Sequence, residues 1–254
     1  MAKSKARVVL WHLLMAGAGA GALATWRWQR RWGATAAEQR AVLPGDDLVP
    51  QPGYQATRAI GIDAPPDVVW PWLVQLGQDK GGFYSYDWLE NLAGLNIHSA
   101  DSVHPEWQRL TVGDKVVLAE PACLRVAVLE DRKALVLHGE DSQAAPVDMD
   151  FSWAFVLEPE GPAGTRLVVR ERYAWAKWAV GVTVKAVAWV SFVMSRAMLV
   201  GIKRRAEGVW LADLAGCEPG LVHEDTDQFD DAAGQPPAAA GPDAALVAAA
   251  EDAD

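Results

Sequence analysis

The chain has 254 residues, 51% of them apolar, enough to bury one sizeable core in one or two domains. Its net charge of −10 is unevenly spread. Residues 217–254 hold ten acids and no Lys or Arg, residues 1–32 hold six Lys or Arg and no acid, and the middle is a mildly acidic globular mixture. Nothing resembles the basic stripe that a nucleic-acid footprint requires, which argues against nucleic acid as a partner.

The first predicted element is a membrane anchor over residues 1–32. Residues 8–26, VVLWHLLMAGAGAGALATW, contain no formal charge, and His12 is their only ionisable residue. At helical rise this stretch covers roughly 28 Å, close to the hydrocarbon thickness of a bilayer. Lys3, Lys5 and Arg7 precede it, Arg27, Arg30 and Arg31 follow it, and Trp11, Trp26, Trp28 and Trp32 lie near its ends, where indoles favour the interface. A cleaved leader would use Ala22-Leu23-Ala24, whereas the WRWQRRW that follows suits a stop-transfer flank. With three basic residues on each side, Arg40 tips the expected topology towards a cytoplasmic domain on a single-pass anchor.

Residues 33–56 read as a polar, turn-rich connector containing Leu43-Pro44-Gly45-Asp46. The domain is expected over 57–216. Alternation predicts a strand over Thr57–Asp63, ended by Ala64-Pro65-Pro66, whose prolines suit a helix start over Val68–Leu76. Gly81-Gly82 breaks that pattern, and YSYDWLENL at Tyr84–Leu92 predicts a second short helix. Strands follow at Lys115–Ala119, Leu124–Leu129, Ala134–His138, Met149–Leu157 and Arg166–Tyr173. A long apolar helix over Val182–Leu214 closes the domain, and its apolar residues on more than one face suggest a membrane surface or a protein partner. Residues 217–254, rich in Ala, Gly, Pro, Asp and Glu, form an acidic tail that cannot support a core.

The predicted class is α+β: a curved antiparallel sheet wrapped on a long C-terminal helix, preceded by one transmembrane helix. ATRAIGIDAPPDVVWPWLVQLG, GGFYSYDWLENLAGLNIHSAD, TRLVVRERYAW and VSFVMSRAMLVGIKRRAE then carry a resemblance. Residues 57–212 resemble the SRPBCC (START-like, polyketide cyclase/dehydrase) superfamily, in a membrane-associated bacterial branch. The resemblance implies a helix-grip fold with a cavity between sheet and helix. It implies no catalytic residue, because the superfamily has no universal catalytic motif and one scaffold serves many functions.

Strand alternation puts Glu171 with Leu167, Val169 and Tyr173, and Arg58 with Ile60 and Ile62, on faces expected to point inward. The first and last strands are neighbours in helix-grip sheets, so Arg58 and Glu171 form a candidate buried pair, either structural or a polar anchor for a ligand. Phe151, Trp153, Phe155 and Val169 are the expected apolar lining. In the Gly-punctuated segment 81–101, Tyr84, Tyr86, His98 and Asp101 are candidates for hydrogen bonds to a polar ligand end, against a plain packing role. His98, His104 and Asp101 lack metal-site spacing, and no G-x-S-x-G, Walker or Rossmann pattern is present, so neither metal nor cofactor is expected. Cys123 and Cys217 match no CxxC spacing; a disulfide framework is not expected, and a reducing compartment fits. Three function classes follow: a membrane-tethered binding protein for a hydrophobic small molecule or lipid, a cyclase- or dehydrase-like enzyme, and a scaffold that binds a protein through its C-terminal helix.

Overall fold

The computed structural model describes residues 21, 23–92, 94–139 and 149–216; the 8–26 span lies largely outside them, and the acidic tail wholly so. Six strands form one antiparallel sheet: β1 (Tyr54–Ile62), β2 (Lys115–Ala119), β3 (Ala122–Glu130), β4 (Ala134–His138), β5 (Met149–Glu160) and β6 (Gly164–Trp175), in the order β1-β6-β5-β4-β3-β2. From residue 36 onward the helices are α1 (Ala36–Arg40), α2 (Pro66–Val74), α3 (Asp87–Leu92) and α4 (Trp178–Gly216), with a 3-10 turn at Pro105–Trp107. An antiparallel sheet with a long C-terminal helix on one face is the arrangement expected from the sequence.

β1 begins three residues earlier than alternation predicts, because Tyr54 is buried and stays in register opposite Tyr173 of β6. Pro66 sits in the first turn of α2, where a missing N–H leaves no bond unmade. That helix buries Val69, Trp72 and Leu73 in a core shared with Phe155, Leu167, Val169, Met198 and Ile202. α4 is longer than predicted at both ends and bends by 43° between Lys185 and Val187. Among the described residues no single helix is long and apolar enough to cross a membrane.

Gly201 fixes how close α4 can come to the loop before α3. A Cβ there would lie 2.1 Å from the Tyr84 carbonyl oxygen, so only glycine permits this approach. Tyr84 itself has φ 55° and donates its hydroxyl to the Trp72 carbonyl at 3.1 Å. The loop is thereby held against both α2 and α4, which aims the neighbouring Phe83 at the inner face of the sheet.

The segments read as anchor flank and connector are part of the folded structure. Residues 23–29 are helical, and Gln29 is fully buried. The Arg30 and Trp32 carbonyls accept from the Thr57 and Ala59 amides of β1. Trp28 meets Phe192 of α4 edge-on at 5.2 Å, and Arg196 lies over the Trp32 ring at 5.3 Å. Residues 36–50 cover the outer face of β6. There Arg166 donates to Glu38, Arg170 pairs with Asp46 at 2.6 Å, and Arg172 lies 2.9 Å from the other Asp46 oxygen. The outward side of the strand therefore carries three arginines because it meets an acidic, carbonyl-rich strap.

Candidate functional site

Between the inner face of β5 and β6, the loop at Phe83–Ser85, α3 and α4 lies a cavity of about 230 Å³. Phe151 and Trp153 of β5 and Glu171 and Tyr173 of β6 form its sheet wall, since alternate residues share a face. Ser191, Met194, Ser195 and Met198 form the helix wall; their spacing of three and four places them on one stripe of α4. Phe83, Ser85, Glu90 and Leu118 complete the lining. A second chamber of about 150 Å³, between Tyr54, Met149, Val180, Val184 and Val187, shares Glu171, Tyr173 and Ser191 with the first. Those three residues form the partition.

Glu171 is buried and held on both oxygens. Its Oε1 accepts from Arg58 Nη1 at 2.5 Å and from Ser195 Oγ at 2.7 Å, and its Oε2 accepts from Ser191 Oγ at 2.9 Å. Arg58 is as deeply buried, donates further to the Gln29 carbonyl and side chain, and lies 5.6 Å from the Phe192 ring. The pair is thus a charge-neutral polar plug between sheet and helix, and its geometry spends the Arg58 charge on Glu171. Burial pushes the Tyr173 phenol well above its usual range, with the Glu171 carboxylate adding to the shift, so Tyr173 stays a neutral hydroxyl.

Glu90 is the second carboxyl of the lining. It is 7% exposed, and its Oε1 accepts from Ser85 Oγ at 2.5 Å. Its Oε2 has no hydrogen-bond partner among the described residues. Burial raises its pKa above the usual carboxylate value, the Ser85 hydrogen bond opposes that shift, and the nearby Asp87 charge reinforces it. Trp153 Nε1, on the facing strand, is likewise buried and without a partner among the described residues.

Of the residues singled out from sequence, Phe151, Trp153 and Glu171 line the cavity, and Arg58 braces Glu171 from beneath. Phe155 and Val169 are buried one step deeper in the core and do not line it. Four others lie away from the lining. Tyr84 is tied to Trp72, Tyr86 is exposed beside Trp88, His98 is exposed, and Asp101 pairs with Arg205 at 3.1 Å on the surface. The segment 81–101 is cross-tied by its own side chains. Asp87 accepts from the Ser99 amide and hydroxyl, and Asn91 exchanges two hydrogen bonds with Ile97. Glu90, Tyr173, Ser191 and Ser195 were not singled out as site residues. The stripe Ser191, Met194, Ser195, Met198 was the available signal for the helix wall.

No protein-family model and no curated protein matches the chain. Solved structures do align with it. Norcoclaurine synthase from Thalictrum flavum is 11% identical over 65% of this chain and 92% of its own, with a TM-score of 0.38. A protein from Mesorhizobium loti is 17% identical over 59% of this chain and 98% of its own, with a TM-score of 0.36. The di-domain ARO/CYC protein BexL of the BE-7585A biosynthetic pathway is 19% identical over 62% of this chain and 47% of its own, with a TM-score of 0.34. At this distance the function is read from the cavity itself.

Proposed function

We propose that the chain is a membrane-tethered binding protein that holds a hydrophobic small molecule or lipid between its sheet and α4. The observation that carries this reading is the cavity itself: about 230 Å³, walled by Phe83, Phe151, Trp153, Met194 and Met198, with the Glu171 carboxylate of its wall already paired to the buried Arg58 behind it. Glu171 is engaged on both oxygens by Arg58, Ser191 and Ser195, which suits a structural anchor and not a base that shuttles protons.

The neutral probe N-phenyl-1-naphthylamine is expected to bind the full chain saturably, followed by its own emission. Met194→Trp, which fills the space from the helix side, is expected to weaken binding about tenfold or more, because a close-packed wall has no room for both rings. Equal affinity in wild type and Met194→Trp would place the probe elsewhere and sink this reading.

Tethering rests on residues 8–26, with the domain on the cytoplasmic side, and on the apolar surface of α4. Trp178, Val182, Val187 and Val190 are all more than half exposed, next to the smaller chamber. A ligand leaving a bilayer on that side would meet the smaller chamber first. The full chain is expected to sediment with membranes and to resist carbonate. Deleting residues 1–22, which spares the buried Gln29 and the Arg30 carbonyl bound to β1, should release most of it. A shortened chain that remains wholly membrane-bound would make the α4 surface the anchor instead.

A further inference from the structure

A polar pocket of about 250 Å³, lined by Arg27, Arg30, Arg31, Gln39, Gln55 and Thr57, shares no residue with either apolar chamber. Three of its six residues are arginines and none is acidic. Arg27 stands in the last turn of the helix over residues 23–29, and Arg30 and Arg31 in the turn that ends it. Gln55 and Thr57 share the outer face of β1, and Gln39 comes from α1. Arg30 is fixed in place: its Nε donates to the Gln55 carbonyl at 2.9 Å, and its guanidinium lies 5.1 Å from the centre of the Tyr54 ring. The side chains of Arg27 and Arg31 are exposed and form no hydrogen bond or ion pair among the described residues.

Three positive charges in a concave, acid-free setting repel one another and raise the local potential, so the pocket favours an anion. Guanidinium forks suit the paired oxygens of a carboxylate or a phosphate alike. Position chooses between them. Arg27 directly follows the apolar stretch 8–26, and Arg31 lies five residues beyond its last residue, Trp26. Five residues of helix rise by roughly 7.5 Å. The headgroup layer on each side of a bilayer is about 5–7 Å deep, so the three arginines fall at the depth of lipid phosphates. With the domain on the cytoplasmic side, that leaflet also carries the anionic lipids. We infer that this pocket binds the phosphate of an anionic phospholipid and so fixes how the domain sits on the bilayer. The choice of a lipid as the source rests on the tethering reading above; the pocket and its charge do not.

The test is native mass spectrometry of the full chain in a neutral detergent, titrated with dioctanoyl phosphatidylglycerol, dioctanoyl phosphatidylcholine and inorganic phosphate. The two lipids share their chains and a phosphodiester, but choline brings its own cation to the arginines. Wild type is expected to bind phosphatidylglycerol about tenfold or more tighter than phosphatidylcholine, and tighter than inorganic phosphate. Arg27→Gln/Arg31→Gln should erase most of that preference, and with both side chains exposed and unpaired the fold should be untouched. Met194→Trp, which fills the apolar cavity, should leave the preference unchanged. Equal binding of the two lipids by wild type, or a preference that survives in the double variant, would overturn the inference, and carbonate-resistant sedimentation of the same chain would keep the tethering reading. Inorganic phosphate binding as tightly as phosphatidylglycerol would overturn the lipid as the source. A chain released by carbonate that still prefers phosphatidylglycerol would remove the tether and keep the pocket.

Discussion

Glu171→Ala and Arg58→Ala are each expected to lower unfolding free energy by about 3–5 kcal/mol, the usual consequence of stranding one member of a buried ion pair. The two side chains are 3% and 1% exposed, so water cannot replace a lost partner. After Glu171→Ala, Arg58 keeps only Gln29 and the Phe192 face. After Arg58→Ala, Glu171 keeps the Ser191 and Ser195 hydroxyls, which can still rotate to donate to it. Glu171→Gln should cost less than Glu171→Ala, since the amide carbonyl still accepts from those serines. The double variant Arg58→Met/Glu171→Leu should recover much of the loss, because two apolar side chains of similar volume remove the unpaired charge altogether. Urea unfolding midpoints decide this. A Glu171→Ala chain as stable as wild type, but unable to bind the neutral probe, would turn the pair from a brace into the ligand anchor itself.

Strand periodicity carried most of the fold. With a period of two, Leu167, Val169, Glu171 and Tyr173 had to share a face, and so did Phe151, Trp153 and Phe155; the structure sets both groups inward. The same rule turned Arg58 inward, and the resemblance to helix-grip sheets implied that its strand lies beside the last one; the actual register puts Ala56 opposite Glu171 and Arg58 one diagonal away. Alternation does not give depth. It could not say that Phe155 and Val169 would be sealed beneath α2 while Phe151 and Trp153 line space. The helix wall was harder to read because α4 is apolar around most of its circumference, which hid the Ser191–Ser195 stripe. α3 was hardest. At six residues it makes fewer than two turns, too few for periodicity to fix which side faces inward. Tyr86, just before it, drew attention, yet Glu90 is the residue that lines the cavity. The connector failed for a different reason. Its partners are arginines more than a hundred positions away, and composition carries no trace of such contacts.

Those distant contacts set the last expectation, that Arg170→Ala detaches residues 36–50 from the sheet. Arg170 is 2% exposed, and both terminal nitrogens of its fork hold the strap while Nε is tied to β1. Nε donates to Thr57 Oγ1, Nη1 to the Ala41 carbonyl and Asp46, and Nη2 to the Glu38 and Gln39 carbonyls. Removing it leaves three backbone carbonyls and a carboxylate short of donors at once, and the expected cost is about 3–5 kcal/mol. Arg170→Lys should rescue little, because an ammonium keeps the charge and loses the planar fork that reaches both sides of the strap. Arg172 lies 2.9 Å from the same aspartate and is bonded to the Val49 carbonyl, so the far end of the strap should stay attached longest. Hydrogen exchange should therefore quicken first at 36–46, with β3 and β4 protected as before. The inner side of β6 carries Glu171 and Tyr173, so loosening its outer brace should also weaken binding of the neutral probe, with no residue of the cavity changed. Unaltered exchange over 36–46 in Arg170→Ala would show that Leu43 and Val49, both buried, hold the strap by packing alone.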